Sequence, residues 1–166
     1  MTPPPVTQLK APRVGLAYLL SQIGAHAADE FGQRLKPLEL TTQHVGILRL
    51  LAMKPVELTQ RKLAEHLRIQ PSRLVLLLDE LERKGLVARH TDPEDRRAKR
   101  LAATEPGLDR FRAVEALTRD LEAELFEDLS RDERAALAGL LRRVAAKADL
   151  IPGVHPAYRR LAKKEK

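Results

Sequence analysis

Between Thr59 and Gly85 the chain carries two helix signals with almost no room between them. Thr59 is an N-cap residue, and Leu63, Ala64 and Leu67 follow at helical spacing over Gln60–Leu67. Gln70-Pro71 then reads as an N-cap followed by proline at the first helical position. The second helix runs from Pro71 to Lys84, with Leu74, Leu77, Leu78 and Leu81 on one face, and stops at Gly85, a natural left-handed C-terminal residue. Two helices joined by so short a turn have the geometry of a helix-turn-helix.

The flanks extend this reading. Residues 1–12 hold four prolines and read as a flexible arm. Val14, Leu16, Leu19, Leu20, Ile23 and Ala27 recur at three- and four-residue spacing up to about Arg34, and Pro37 ends that run. Thr41 caps a further helix with Val45, Leu48, Leu51 and Ala52 inward. After Gly85 the period changes. Leu86–Thr91 is rich in strand formers, Asp92-Pro93-Glu94-Asp95 is a turn signal, and Lys99–Ala103 is a returning strand. Thr104 caps a long helix from about Glu105 to Asp128, and Ser130-Arg131-Asp132-Glu133 matches a capping box ahead of Leu137, Leu140, Leu141 and Val144. The expected fold is mainly α with a small two-stranded β-wing, occupying residues 13–150 and followed by a basic tail over 151–166.

Composition narrows the class. At 166 residues one domain with a sizeable core is expected. Aromatic residues make up 3% of the chain, with no Trp, which disfavours an all-β sandwich and a base-stacking single-strand binder. A formal charge of +7 suits a polyanionic partner, although it suits plain solubility as well. The absence of Cys removes thiolate catalysis, zinc–thiolate sites and disulfides. No apolar stretch approaches the roughly 20 residues of a bilayer span, and the N-terminus lacks an apolar signal-peptide centre, so a cytoplasmic protein without membrane contact is expected.

Catalytic and cofactor motifs are not evident: there is no Gly-rich phosphate loop, Gly-x-Ser-x-Gly elbow or His-Glu-x-x-His pair. His26 and Glu30, at i and i+4, supply two metal ligands, and two ligands are not a site. The expectation is a non-enzyme with no cofactor and no metal.

From Leu40 to Gly107 the chain resembles the MarR family of winged-helix transcription factors. The match is carried by Leu40-Thr41-Thr42-Gln43, Leu58-Thr59-Gln60, Leu63-Ala64, Leu81-Glu82-Arg83-Lys84-Gly85-Leu86-Val87, Asp92-Pro93-Glu94-Asp95-Arg96-Arg97 and Thr104-Glu105-Pro106-Gly107. The resemblance implies a winged helix-turn-helix core over about 40–107. It also implies dimerisation helices over about 13–36 and 105–148, pairing across a two-fold axis. It further implies pseudo-palindromic operators in double-stranded DNA, and often release from DNA by small aromatic or phenolic ligands. A cavity for such an effector would lie between the dimer helices and the DNA-binding lobe, with His26, His44, Arg49 and Arg112 as candidate polar lining.

A recognition helix places its first side chains against base edges in the major groove, here Gln70, Ser72 and Arg73. Glutamine can pair with adenine, and arginine with guanine or phosphate. Thr59 and Gln60 open the preceding helix, whose N-terminal amides favour a phosphate. By resemblance Arg96 and Arg97 occupy the wing tip, where arginine enters a narrow minor groove, with Lys99 beside them. Where the family pattern usually has Thr and Arg, this chain has Val75 and Leu76, and Leu76 should project from the DNA side. These two residues could touch thymine methyl groups, or the helix could read shape more than sequence, or the surface could serve a protein partner. A homodimer is expected, since one winged helix makes few base contacts and two-fold pairing doubles them. The reading is a sequence-specific regulator, most simply a repressor. The rival is a winged-helix module that contacts protein or structured RNA.

Overall fold

The computed structural model describes residues 14–53, 58–91, 99–151 and 153–156. In chain order the elements are α1 (Leu16–Leu35), a 3₁₀ turn (Lys36–Leu38), α2 (Thr42–Met53), β1 (Leu58–Thr59), α3 (Gln60–Leu67), α4 (Pro71–Arg83), β2 (Val87–Thr91), β3 (Lys99–Ala103), α5 (Glu105–Leu125) and α6 (Arg131–Lys147). The caps behave as their side chains dictate. Thr59 Oγ1 accepts from the Lys62 amide at 3.3 Å, Thr104 Oγ1 accepts from the Gly107 amide at 3.1 Å, and Ser130 and Glu133 form a reciprocal capping box. Gln70 caps α4 by backbone conformation alone, without a side-chain bond.

The sheet departs from the two-stranded expectation. It has three antiparallel strands in the order β1-β3-β2, with Leu58 opposite Leu101 and Thr59 opposite Arg100. A two-residue strand is too short to show alternation, and Thr59 already carries a helix-capping signal. The added strand has a structural consequence: it pins the first residue of α3 beside the first residue of β3. The long helix is also shorter than expected, ending at Leu125 rather than Asp128.

Leucine dominates the core. Leu35, Leu48, Leu63, Leu67, Leu74, Leu78, Leu81 and Leu101 are fully buried together with Ile47, joining α2, α3, α4 and β3. By contrast, α6 buries no residue, and α1 buries only Leu35 at its C-terminal end. Arg34 of α1 pairs with Glu124 of α5, and Arg110 Nη1 of α5 donates to the Leu38 carbonyl at 2.6 Å, so α5 is tied by ionic and polar bonds to α1 and to the turn that follows it.

The wing joins α5 through a backbone junction. Gly85 takes the left-handed conformation at φ +69°, and its carbonyl accepts from the Thr104 hydroxyl at 2.6 Å. The Leu86 carbonyl accepts from the Thr104 amide at 3.1 Å. Gly107 passes so close that a Cβ there would sit 2.0 Å from that same Leu86 oxygen. Only glycine fits.

A buried histidine sits in this apolar body, beside an exposed glutamate. His44 of α2, 2% exposed, accepts the Thr41 amide on Nδ1 at 3.2 Å, which leaves the proton on Nε2, 3.0 Å from Glu80 Oε2 of α4. Burial pushes the imidazole below its ordinary value of 6.5, with Lys84 and Arg73 adding to the shift and the Glu80 carboxylate opposing it.

Two stability tests follow from these contacts. Gly107→Ala should destabilise the fold by about 2–3 kcal/mol, because α5 must move off the Leu86 carbonyl; an unchanged denaturant midpoint would disprove the close approach. The folded chain holds His44 neutral, whereas the unfolded chain protonates it near 6.5. Stability is therefore fully present above that value and declines as pH falls through the lower, folded-state value. Chemical denaturation between pH 7 and pH 5 should show a shallower decline in His44→Gln than in the wild type, and parallel declines would contradict the assignment.

Candidate nucleic-acid interface

Burial of the leucine face of α4 decides which of its other side chains can reach outward. With Leu74, Leu77, Leu78 and Leu81 turned into the core, Ser72 is exposed and Leu76 is 54% exposed. Val75 is half-buried, and its carbonyl accepts from Arg89 Nη2 at 3.4 Å. Ser72 and Leu76 are four residues apart and therefore share a face of the helix.

Beside this face lies a groove of about 850 Å³ where three parts of the fold meet. Thr59, Gln60, Arg61 and Arg68 come from the β1–α3 segment, Gln70 and Pro71 from the start of α4, and Lys99 from the start of β3. The β1–β3 pairing produces this convergence, since it sets Thr59 opposite Arg100, the neighbour of Lys99. The positive end of the α3 dipole opens here, with Thr59 capping one amide. Arg61 pairs with Glu65 at 3.0 Å, but both are well exposed, so the pair is weak and gives way readily to a phosphate. Arg61, Arg68 and Lys99 thus outnumber the single carboxylate, Glu65, around a wall that Ala64, Ile69 and Pro71 complete, a charge balance suited to a polyanion.

Thr59, Gln60, Gln70 and Lys99 line the common groove, while Ser72 and Leu76 project from the exposed side of α4. Lys99 Nζ also donates to Thr91 Oγ1 at 3.1 Å across the wing. Arg73 is half-buried, and its Nη2 donates to Gln43 Oε1 of α2 at 3.3 Å. Arg96 and Arg97 lie outside the described residues. Arg89 of β2 turns back onto α4, where it bonds Asp79 at 2.6 Å and approaches Glu82 at 3.5 Å. Its cation fastens β2 to the recognition helix. Arg61 and Arg68 join this groove by chain proximity along α3, whereas Gln43, read in the sequence only as part of the Leu40–Gln43 match, is buried behind α4.

A second, larger groove of about 1020 Å³ lies on the other side of α2. Phe31, Val45, Phe111 and Val114 supply apolar wall, and Arg49, Arg119 and Arg142 bring positive charge. Of the candidate effector residues only Arg49 lines it; its guanidinium carbon Cζ lies 3.0 Å from where a Gly153 Cβ would be. His44 faces α4 instead, because its neighbours on α2 turn its ring into the core. Arg112 is exposed on α5, paired with Asp109 and Glu105 of the same helix, and His26 is exposed on α1. Among the described residues no three His, Cys, Asp or Glu side chains are grouped to hold a metal ion, and no helix is long and apolar enough to cross a membrane.

Comparison with known proteins matches this architecture to one family. A model of the MarR family matches residues 38–98. The chain is similar to a solved MarR-family transcriptional regulator from Rhodococcus sp. RHA1, at 30% identity over 78% of this chain and 91% of that one, with a TM-score of 0.67. It is also similar to the transcriptional repressor CouR, solved bound to a 23-mer DNA duplex, at 32% identity over 79% and 92% of the two chains and a TM-score of 0.70. Against apo MarR from E. coli the identity is 27%, covering 81% and 98%, with a TM-score of 0.70. With that identity running over nearly the whole length of a solved regulator, and with a small sheet tied to a recognition-type helix, the chain belongs to the MarR family of transcriptional regulators.

Proposed function

We propose that the protein is a sequence-specific, double-stranded-DNA-binding regulator of transcription that acts as a homodimer in the cytoplasm. The observation that carries this reading is the meeting of the α3 N-terminus, the start of α4 and the wing strand around one groove that holds Arg61, Arg68 and Lys99. The solved DNA complexes of CouR and of S. aureus MepR support it as relatives. In the docked protein Ser72 and Leu76 face the major groove, Leu76 against thymine methyls, while Thr59, Gln60 and Lys99 hold the phosphate backbone. By the family resemblance, one of Arg96 and Arg97 enters the minor groove while the other braces the contact.

Dimerisation is supported by apolar surface without cover. Leu16, Tyr18 and Ile23 of α1 are 80%, 58% and 51% exposed, and Leu140 and Val144 of α6 are each 56% exposed. Water tolerates single apolar residues, but clustered ones mark a partner surface. The resulting dimer sets two recognition helices about one turn of B-form DNA apart, roughly 34–36 Å, as a pseudo-palindromic operator requires. The reading extends to repression relieved by a small aromatic or phenolic effector. The second groove supports this with two phenylalanines beside three arginines, a combination suited to a ring bearing a negative charge. The rival reading, a protein- or RNA-contacting module, draws on the exposure of Leu76 alone.

Gel retardation of genomic fragments around the protein's own gene, with excess random DNA, tests the assignment: specific retention at moderate salt is expected, and its absence favours the rival. In the same assay Arg96→Ala/Arg97→Ala should flatten the salt dependence by about one unit of slope per lost phosphate contact. An unchanged slope would remove the wing from the interface.

A further inference from the structure

We propose that Gln43 is a positioning residue for base recognition: from the buried face of α2 its side-chain carbonyl holds the Arg73 guanidinium, at the start of α4, in the orientation that reads DNA. The inference rests on the DNA-binding reading above and concerns a residue that contacts no DNA itself. Gln43 is 4% exposed. Its Oε1 accepts from Arg73 Nη2 at 3.3 Å, across 30 residues of chain. Arg73 Nε is buried and has no hydrogen-bond partner among the described residues. Nε and Nη2 lie along one edge of the guanidinium, so that edge is turned to the protein. A guanidinium carries five N–H donors. The end of the fork, Nη1 with the second Nη2 hydrogen, therefore remains for an outside acceptor such as the O6/N7 pair of guanine.

Gln43 is more than a polar residue filling space. Its Nε2 is buried and unpartnered among the described residues, a state that carries a desolvation cost. A leucine would occupy similar volume without that cost, so the bond from Oε1 to Arg73 is what the amide contributes. Arginine is long and loses much rotamer freedom when it binds. Holding it beforehand removes part of that loss from the binding step. The next residue along α2, His44, meets Glu80 at 3.0 Å, seven residues from Arg73 and so about two turns along the same side of α4. Two adjacent α2 side chains thus face α4, one of them at its first cation.

The test is a double-mutant cycle on the full-length protein, reading the ratio of operator to random-DNA affinity and the discrimination at each operator position. Gln43→Leu should lower the ratio roughly tenfold, and its loss should fall at the base position that Arg73→Ala also relaxes. In the Arg73→Ala background Gln43→Leu should have no further effect. Gln43→Met, similar in length and lacking the acceptor, should repeat the result, and thermal unfolding of each variant separates misfolding from misaiming. If Gln43→Leu weakens binding evenly at all positions, or adds in full to Arg73→Ala, the positioning role is overturned while DNA binding stands. If the wild type shows no preference at any position, the DNA reading falls and takes this one with it.

Discussion

The structure depends on one stripe of four leucines. Leu74, Leu77, Leu78 and Leu81 anchor α4 in the core at 2% exposure or less. Their burial is worth on the order of 6–12 kcal/mol as an upper bound, more than any polar contact on this face supplies. The helix therefore cannot roll, and Ser72 and Leu76 must point away from the body. A polar substitution in that stripe would cost most of the stability of a small domain and would disperse the interface with it.

Polar contacts then set finer positions within the frame that the apolar packing fixes. The β1–β3 pair brings the α3 N-terminus to the wing strand, Arg89 clips β2 to Asp79 on α4, and the Gly85–Thr104–Gly107 junction seats α5 against the wing. Helix α2 stands at the centre. One face presents Gln43 and His44 to the recognition helix, while Val45, Gly46 and Arg49 line the larger groove.

Much of the fold was legible because capping chemistry and apolar spacing are local. The bounds of α3 and β3 came directly from Thr59, Leu67, Lys99 and Ala103, and the capping box at Ser130 formed as read. What escaped was non-local. Strand β1 has two residues and exists only because β3 returns beside it. His44 was placed in the effector cavity on residue type alone, whereas its environment is set by α4, 36 residues further along. The same holds for Gln43 and Arg89, whose partners lie 30 and 10 residues away. A side chain's type shows what bond it can make, and only the fold shows with what.

In the proposed function two copies of this surface engage one duplex in step with its helical pitch. The most direct measurement is the affinity of the protein for its operator after five base pairs, half a helical turn, are inserted between the half-sites. Specific binding should collapse towards the random-DNA level and recover in part when ten base pairs are inserted instead. Binding indifferent to both insertions would contradict it.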